Sequence, residues 1–202
     1  MSHKVKFLVE ISNCTNEPLH LVNAEMKTGG FQNSPKYVIM AGHKESFSGR
    51  KANYVLAGAS GSVAYRIGNS DKIFVVAFNC PRFTGSNTLA MQFYKWDQSQ
   101  IESMPQNGMF DQINVEGPWK KAFIQGGSAK PLEVTDEEGD YKLGGGMGVF
   151  HATTIEVSLI PNDKNKIATK LKSGFGVKEP EPKKIQEVKK HEHVHVHGCK
   201  LL

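Results

Sequence analysis

Residues 58–83, GASGSVAYRIGNSDKIFVVAFNCPRF, restrict the fold more than any other stretch of the chain. Val63, Tyr65 and Ile67 alternate with Ser62, Ala64 and Arg66, the period of a strand with one face turned to a core. Gly68, Asn69, Ser70 and Asp71 follow; such residues accept positive φ or bond the local backbone, and so reverse the chain. From Ile73 to Phe78 both faces are apolar, which demands cover on both sides and places this second strand inside a sheet. Pro81 has no N–H to give a ladder and closes the hairpin.

The flanking sequence repeats the strand signal. Lys4 to Ser12 alternates with Phe7, Val9 and Ile11 on one side, and Thr153 to Leu159 does so with Ile155, Val157 and Leu159. Leu19 to Met26, Tyr37 to Met40, Glu45 to Ser48, Tyr54 to Ala57 and Leu89 to Tyr94 read as further strands, separated by breakers such as Gly29-Gly30. Weaker patterns at Phe110 to Val115, Ala122 to Gln125 and Pro131 to Val134 are expected to be strands between Gly-rich turns. The one helix pattern, Asp97 to Met104, has Asp97 as its cap and stops before Pro105. Gly144 to Gly148 reads as a turn, because no helix opening and no Lys-Ser/Thr pair follows to make a phosphate loop. Many short strands at this spacing predict an all-β sandwich with one or two short flanking helices over residues 1–161.

Charge divides the chain. Residues 1–161 hold 15 Lys and Arg against 15 Asp and Glu, so the whole net charge of +5 lies in residues 162–202. A neutral domain lacks the clustered cations that neutralise phosphates along a nucleic acid, which excludes that partner. The Lys-rich, aromatic-poor segment after Pro161 is expected to be a disordered tail, with an anionic lipid surface as its partner through Lys183, Lys184, Lys189 and Lys190. The ending Cys199-Lys200-Leu201-Leu202 fits a prenylation signal, and one lipid chain plus basic residues is a usual pair of membrane anchors. His191, His193, His195 and His197 alternate before it and offer imidazoles for a metal such as zinc, although a solvated tract is the simpler reading.

Other chemistry is sparse. His20, His43 and His151 are scattered and assemble with no nucleophile, so no enzyme and no cofactor are expected. Cys14, Cys80 and Cys199 are far apart without CxxC spacing, pointing to reduced thiols. The acidic run Asp136, Glu137, Glu138, Asp140 lacks calcium-loop spacing and reads as a solvated loop. No run approaches the roughly 18 apolar residues of a spanning helix, and the opening MSHKVKFLVEIS is unlike a secretory signal. The expected location is the cytosolic face of a membrane, held by the tail; secretion is the alternative.

Gly58 to Tyr65, the turn, the apolar strand and Phe78-Asn79-Cys80-Pro81 together resemble the actinoporins, the sea-anemone pore-forming cytolysins, and their wider actinoporin-like family. Ser86-Asn87, Phe93-Tyr94-Lys95, Gly117-Pro118-Trp119 and the closing strand follow in matching order. The resemblance implies a β-sandwich, related in fold to fungal fruit-body lectins, that binds phospholipid headgroups. Carried over residue by residue, it implies a headgroup site of Ser48, Ser60, Asn79 and Pro81, with Arg82 and Phe83 standing where the family continues into aromatic residues. Met1, Ser2 and His3 stand where the family has a pore helix, so headgroup binding is expected rather than perforation. A cytolysin binding sphingomyelin-type lipids and a lectin binding glycans, with Trp96 and Trp119 available, are the alternatives.

Overall fold

The hairpin forms where its pattern places it. In the computed structural model, which describes residues 5–52, 56–82, 87–102, 109–110, 120–123 and 131–176, β6 (Ala59–Ile67) and β7 (Lys72–Cys80) pair antiparallel from Ala59↔Cys80 to Arg66↔Ile73. Gly68 sits at φ 51° in the turn, and Ser70 ties it by donating its hydroxyl to the Ile67 carbonyl at 2.6 Å. Both faces of β7 are covered. Phe74, Val76 and Phe78 enter the core with Val63 and Tyr65, while Ile73, Val75 and Ala77 join Ala64, Ala90, Met109 and Phe110 in a second cluster outside the same sheet. A strand packed on both sides has no use for polar residues, which explains the unbroken apolar run.

Around the hairpin lie β1 (Lys6–Asn13), β2 (Leu19–Thr28), β3 (Gly30–Asn33), β4 (Val38–Ile39), β5 (Lys44–Arg50), β8 (Thr88–Lys95), β9 (Lys120–Phe123), β10 (Leu132–Thr135), β11 (Tyr141–Met147) and β12 (Ala152–Pro161). They make two six-stranded sheets, ordered β10-β11-β12-β1-β5-β3 and β4-β2-β6-β7-β8-β9. Phe7 of the first sheet meets Phe78 of the second with ring centroids 4.6 Å apart. In the first sheet β1 and β12 pair parallel from Lys6↔Ala152 to Asn13↔Leu159, joining strands far apart in sequence. The helix α1 (Gln98–Glu102) follows Asp97, whose carboxylate accepts from the Gln100 amide at 2.8 Å as its cap.

Four expectations change. The glycine run is no turn: Gly144, Gly145 and Gly146 lie within β11, where Tyr141, Leu143 and Met147 face the core. Gly30, read as half of a breaker, opens the edge strand β3, which runs to Asn33, and Gly29, at φ 88°, turns the chain. Phe110 is helical rather than extended, and Leu56 and Ala57 lie outside any strand. Finally, the chain stays on the sandwich past Pro161. Ile167 and Ala168 are each 2% exposed, Thr15 bridges to Ile167, and two 3-10 turns span Lys164–Lys166 and Thr169–Leu171. Two buried apolar residues among lysines, with backbone bonds between Asn16 and Lys166 and between Ala168 and Cys14, help hold this segment, a signal that composition averages away.

Candidate functional site

Ser60 stands opposite Asn79 across β6 and β7, Asn79 opposite Thr88 on β8, and Ser60 opposite Thr28 on β2. Alternation along a strand turns these four to the outside of the second sheet, since their neighbours Ala59, Phe78 and Leu89 are core. The Thr28 and Ser60 hydroxyls are 2.8 Å apart and share a hydrogen bond. Ser60 is buried; Thr28, Asn79 and Thr88 are half-buried, so the row is a polar strip that a small ligand could reach. Pro81 and Arg82, both half-buried, continue directly from β7 at the end of this strip.

Ser48 lies elsewhere. It is on β5 of the first sheet, opposite Leu8, on the face turned from the core, and its hydroxyl accepts from Asn33 Nδ2 at 3.1 Å. Four of the expected headgroup residues, Ser60, Asn79, Pro81 and Arg82, are thus brought together, while Ser48 occupies the other sheet. Phe83 lies outside the described residues, as do Lys183, Lys184, Lys189, Lys190, His191, His193, His195, His197 and Cys199.

The strip opens onto one end of the sandwich, and that end is basic. The terminal residues of β1, β2, β3, β5, β6, β7, β8 and β12 there include no Asp or Glu. Lys6, Lys27 and Arg50 are exposed, Lys51 is 9% exposed, and Arg82 adjoins them. Two large apolar side chains project from the connections at the same end, Leu56 at 72% and Phe150 at 76% exposure. The Phe150 turn is braced: Asn87 Nδ2 donates to the carbonyls of Gly148 at 2.7 Å and Phe150 at 3.0 Å. At the same end an open groove of about 470 Å³ is lined by Gly29, Gly30, Phe31, Arg50, Lys51 and Ala52. Beneath, burial pushes the Cys80 thiol up to about 12, leaving it protonated and inert.

At the opposite end the run read as a solvated loop has a structural task. Lys72 Nζ lies 2.6 Å from carboxylate oxygens of Asp136, Glu138 and Asp140, closing the β10–β11 turn over the start of β7. Burial works against the Lys72 charge, but the hydrogen bonds from Asp136, Asp140 and Glu138 outweigh it and hold the ammonium well above its usual range. The three carboxylates have a metal-like arrangement, and the lysine fills it. Tyr37, Val38 and Met40 form a second exposed apolar patch near this end.

Lys6, Arg50, Leu56 and Phe150 were not among the residues singled out from sequence. Their only signal is basic residues next to isolated large apolar residues in connections, and which connections share an end is set by topology.

No protein-family model matches the sequence, and no curated protein matches it. Among solved structures the chain is similar to the lipid binding protein Nakanori, with a TM-score of 0.59 and 16% identity over 77% of this chain and 70% of that one. IP-1A from Alcaligenes faecalis and RahU, solved with a TRIS molecule, give TM-scores of 0.42 and 0.41 at 11% and 10% identity. They cover 91% and 94% of those chains and 78% and 77% of this one. At such identities the likeness is one of fold. The chain has the all-β, actinoporin-like sandwich that its hairpin implied.

Proposed function

We propose that this protein binds lipid headgroups and meets a membrane with the basic end of its sandwich. One observation carries this: cations and two exposed apolar side chains coincide at the end where the Ser60–Asn79 strip opens. Cations attract an anionic leaflet, and Leu56 and Phe150 would enter the interface beneath it, each apolar side chain adding roughly 1.5–3 kcal/mol if fully buried. The similarity of fold to a lipid binding protein supports the same reading. Ser60, Asn79, Pro81 and Arg82, with Phe83, form the headgroup contact, and no catalysis, cofactor or metal is involved. Lys183, Lys184, Lys189 and Lys190 add attraction, and a prenyl group on Cys199 would make the attachment stable on a cytosolic face.

Vesicle flotation tests this. The Leu56→Ser, Phe150→Ser double variant should bind phosphatidylcholine–phosphatidylserine vesicles at least tenfold more weakly than the parent chain, by the area argument. Equal binding would exclude this end as the lipid contact.

A second reading, glycan binding, has one observation in its favour. A groove of about 260 Å³ at the end opposite the basic one is lined by Gln92, Tyr94, Trp96 and Glu138, with the Tyr94 and Trp96 rings 5.0 Å apart. A sugar could stack on the indole and bond the amide and carboxylate. A glycan array separates the two, since Trp96→Ala would abolish any glycan signal and leave vesicle binding intact.

A further inference from the structure

Lys6 and Arg50 are direct register partners on β1 and β5, with Gly30 of β3 next in the row. Cross-strand partners project to the same side, so two cations face each other on the outer surface of the first sheet. Like charges so placed repel, and among the described residues neither has an ion pair. Both side chains are exposed, so neither is there to fill the core. One row further along the same face stands Ser48, whose oxygen accepts from Asn33, leaving its own proton to donate. On the other side the surface falls into the Gly29–Gly30 groove, where Lys51 lies and where Gly30 has open space in place of a side chain.

We infer that Lys6, Arg50 and Ser48, with the Lys51 side of this groove, bind a phosphate monoester. A monoester carries up to two negative charges and three free oxygens. It relieves the Lys6–Arg50 repulsion, accepts two N–H bonds from the Arg50 fork, and accepts a hydrogen bond from the Ser48 hydroxyl. A diester such as phosphatidylserine offers one phosphate charge and fewer free oxygens to the same row. The site lies on the sheet opposite the Ser60–Asn79 strip, so it is a second contact at the same end. As a lipid site it rests on the membrane reading above; as a phosphate site it does not.

The test uses the full chain with vesicles of phosphatidylcholine alone, with phosphatidylserine, and with phosphatidic acid, and separately with glycerol 3-phosphate in solution. The parent chain should prefer phosphatidic acid to phosphatidylserine. Lys6→Gln, Arg50→Gln should weaken binding to phosphatidic acid by roughly thirtyfold, the effect of two basic side chains near an anionic surface. Lys164→Gln, Lys170→Gln, which removes equal charge at the opposite end of the sandwich, should not. Ser48→Ala should narrow the preference for phosphatidic acid over phosphatidylserine without changing binding to phosphatidylserine. If the parent binds the two anionic lipids equally, or the Lys6, Arg50 variant keeps the preference, the site is refuted. Should glycerol 3-phosphate bind in an Arg50-dependent way while no vesicle does, the phosphate site stands and the membrane reading falls.

Discussion

Lys72 Nζ lies 2.6 Å from Asp136 Oδ2, and with side chains 10% and 5% exposed the two form a buried ion pair between the central strand and the β10–β11 turn. Removing one partner of such a pair leaves a charge stranded in poor solvent, at about 3–5 kcal/mol. Because Glu138 and Asp140 remain half-exposed, the low end applies. Lys72→Met should therefore lower Tm by about 6–12 °C for a chain of this length. An unchanged Tm in differential scanning calorimetry would show that the carboxylates find water instead.

The same cluster sets a pH dependence. Glu138 and Asp140 are held below the ordinary carboxylate range, first by their hydrogen bonds to Lys72. A depressed folded value contributes stability that is complete above the unfolded range near pH 4 and is lost as pH falls through the folded values. Lys72 is raised, so its share is complete below about pH 10 and is lost only above that. Tm should stay flat in between and fall on acidification. In Lys72→Met the sign reverses, because protonation then relieves three crowded carboxylates; parallel acid profiles for the two proteins would contradict this.

Within β11 the three glycines differ. A Cβ on Gly145 would lie 2.8 Å from the Glu156 carbonyl oxygen and 3.0 Å from Met91 Sδ, whereas Gly144 and Gly146 have nothing within 4 Å. Gly145→Val should cost about 1–3 kcal/mol, as overpacking does. Gly144→Val and Gly146→Val should be neutral or stabilising by up to about 1 kcal/mol, since valine suits a strand better than glycine. Urea melts that rank the three alike would argue that the run is not a strand.

At the basic end stability and binding should part company. Lys6→Glu turns a like-charge pair opposite Arg50 into an attractive one. The change should stabilise the fold by roughly 0.2–1 kcal/mol. It should also reduce binding to phosphatidic acid vesicles. Loss of both stability and binding would mean that Lys6 supports the sheet and not a ligand.

Residues 58–83 determined much by themselves. An apolar run with no polar break requires a doubly covered strand, and residues 68–71 require a reversal, so the hairpin was legible before any coordinates. These are local facts: period, turn chemistry and the reach of a side chain to the strand beside it. Tertiary structure alone decided that β1 lies parallel to β12, that Lys6 faces Arg50 across strands some forty residues apart, and that Leu56 and Phe150 emerge at one end. It also decided that the acidic run would close on Lys72 and that Ser48 would face away on the other sheet. The physical reason is that sequence pattern reports which side of a strand is buried, while the order of strands in a sheet is chosen by packing over the whole core, and charges far apart in the chain meet only once that order is set.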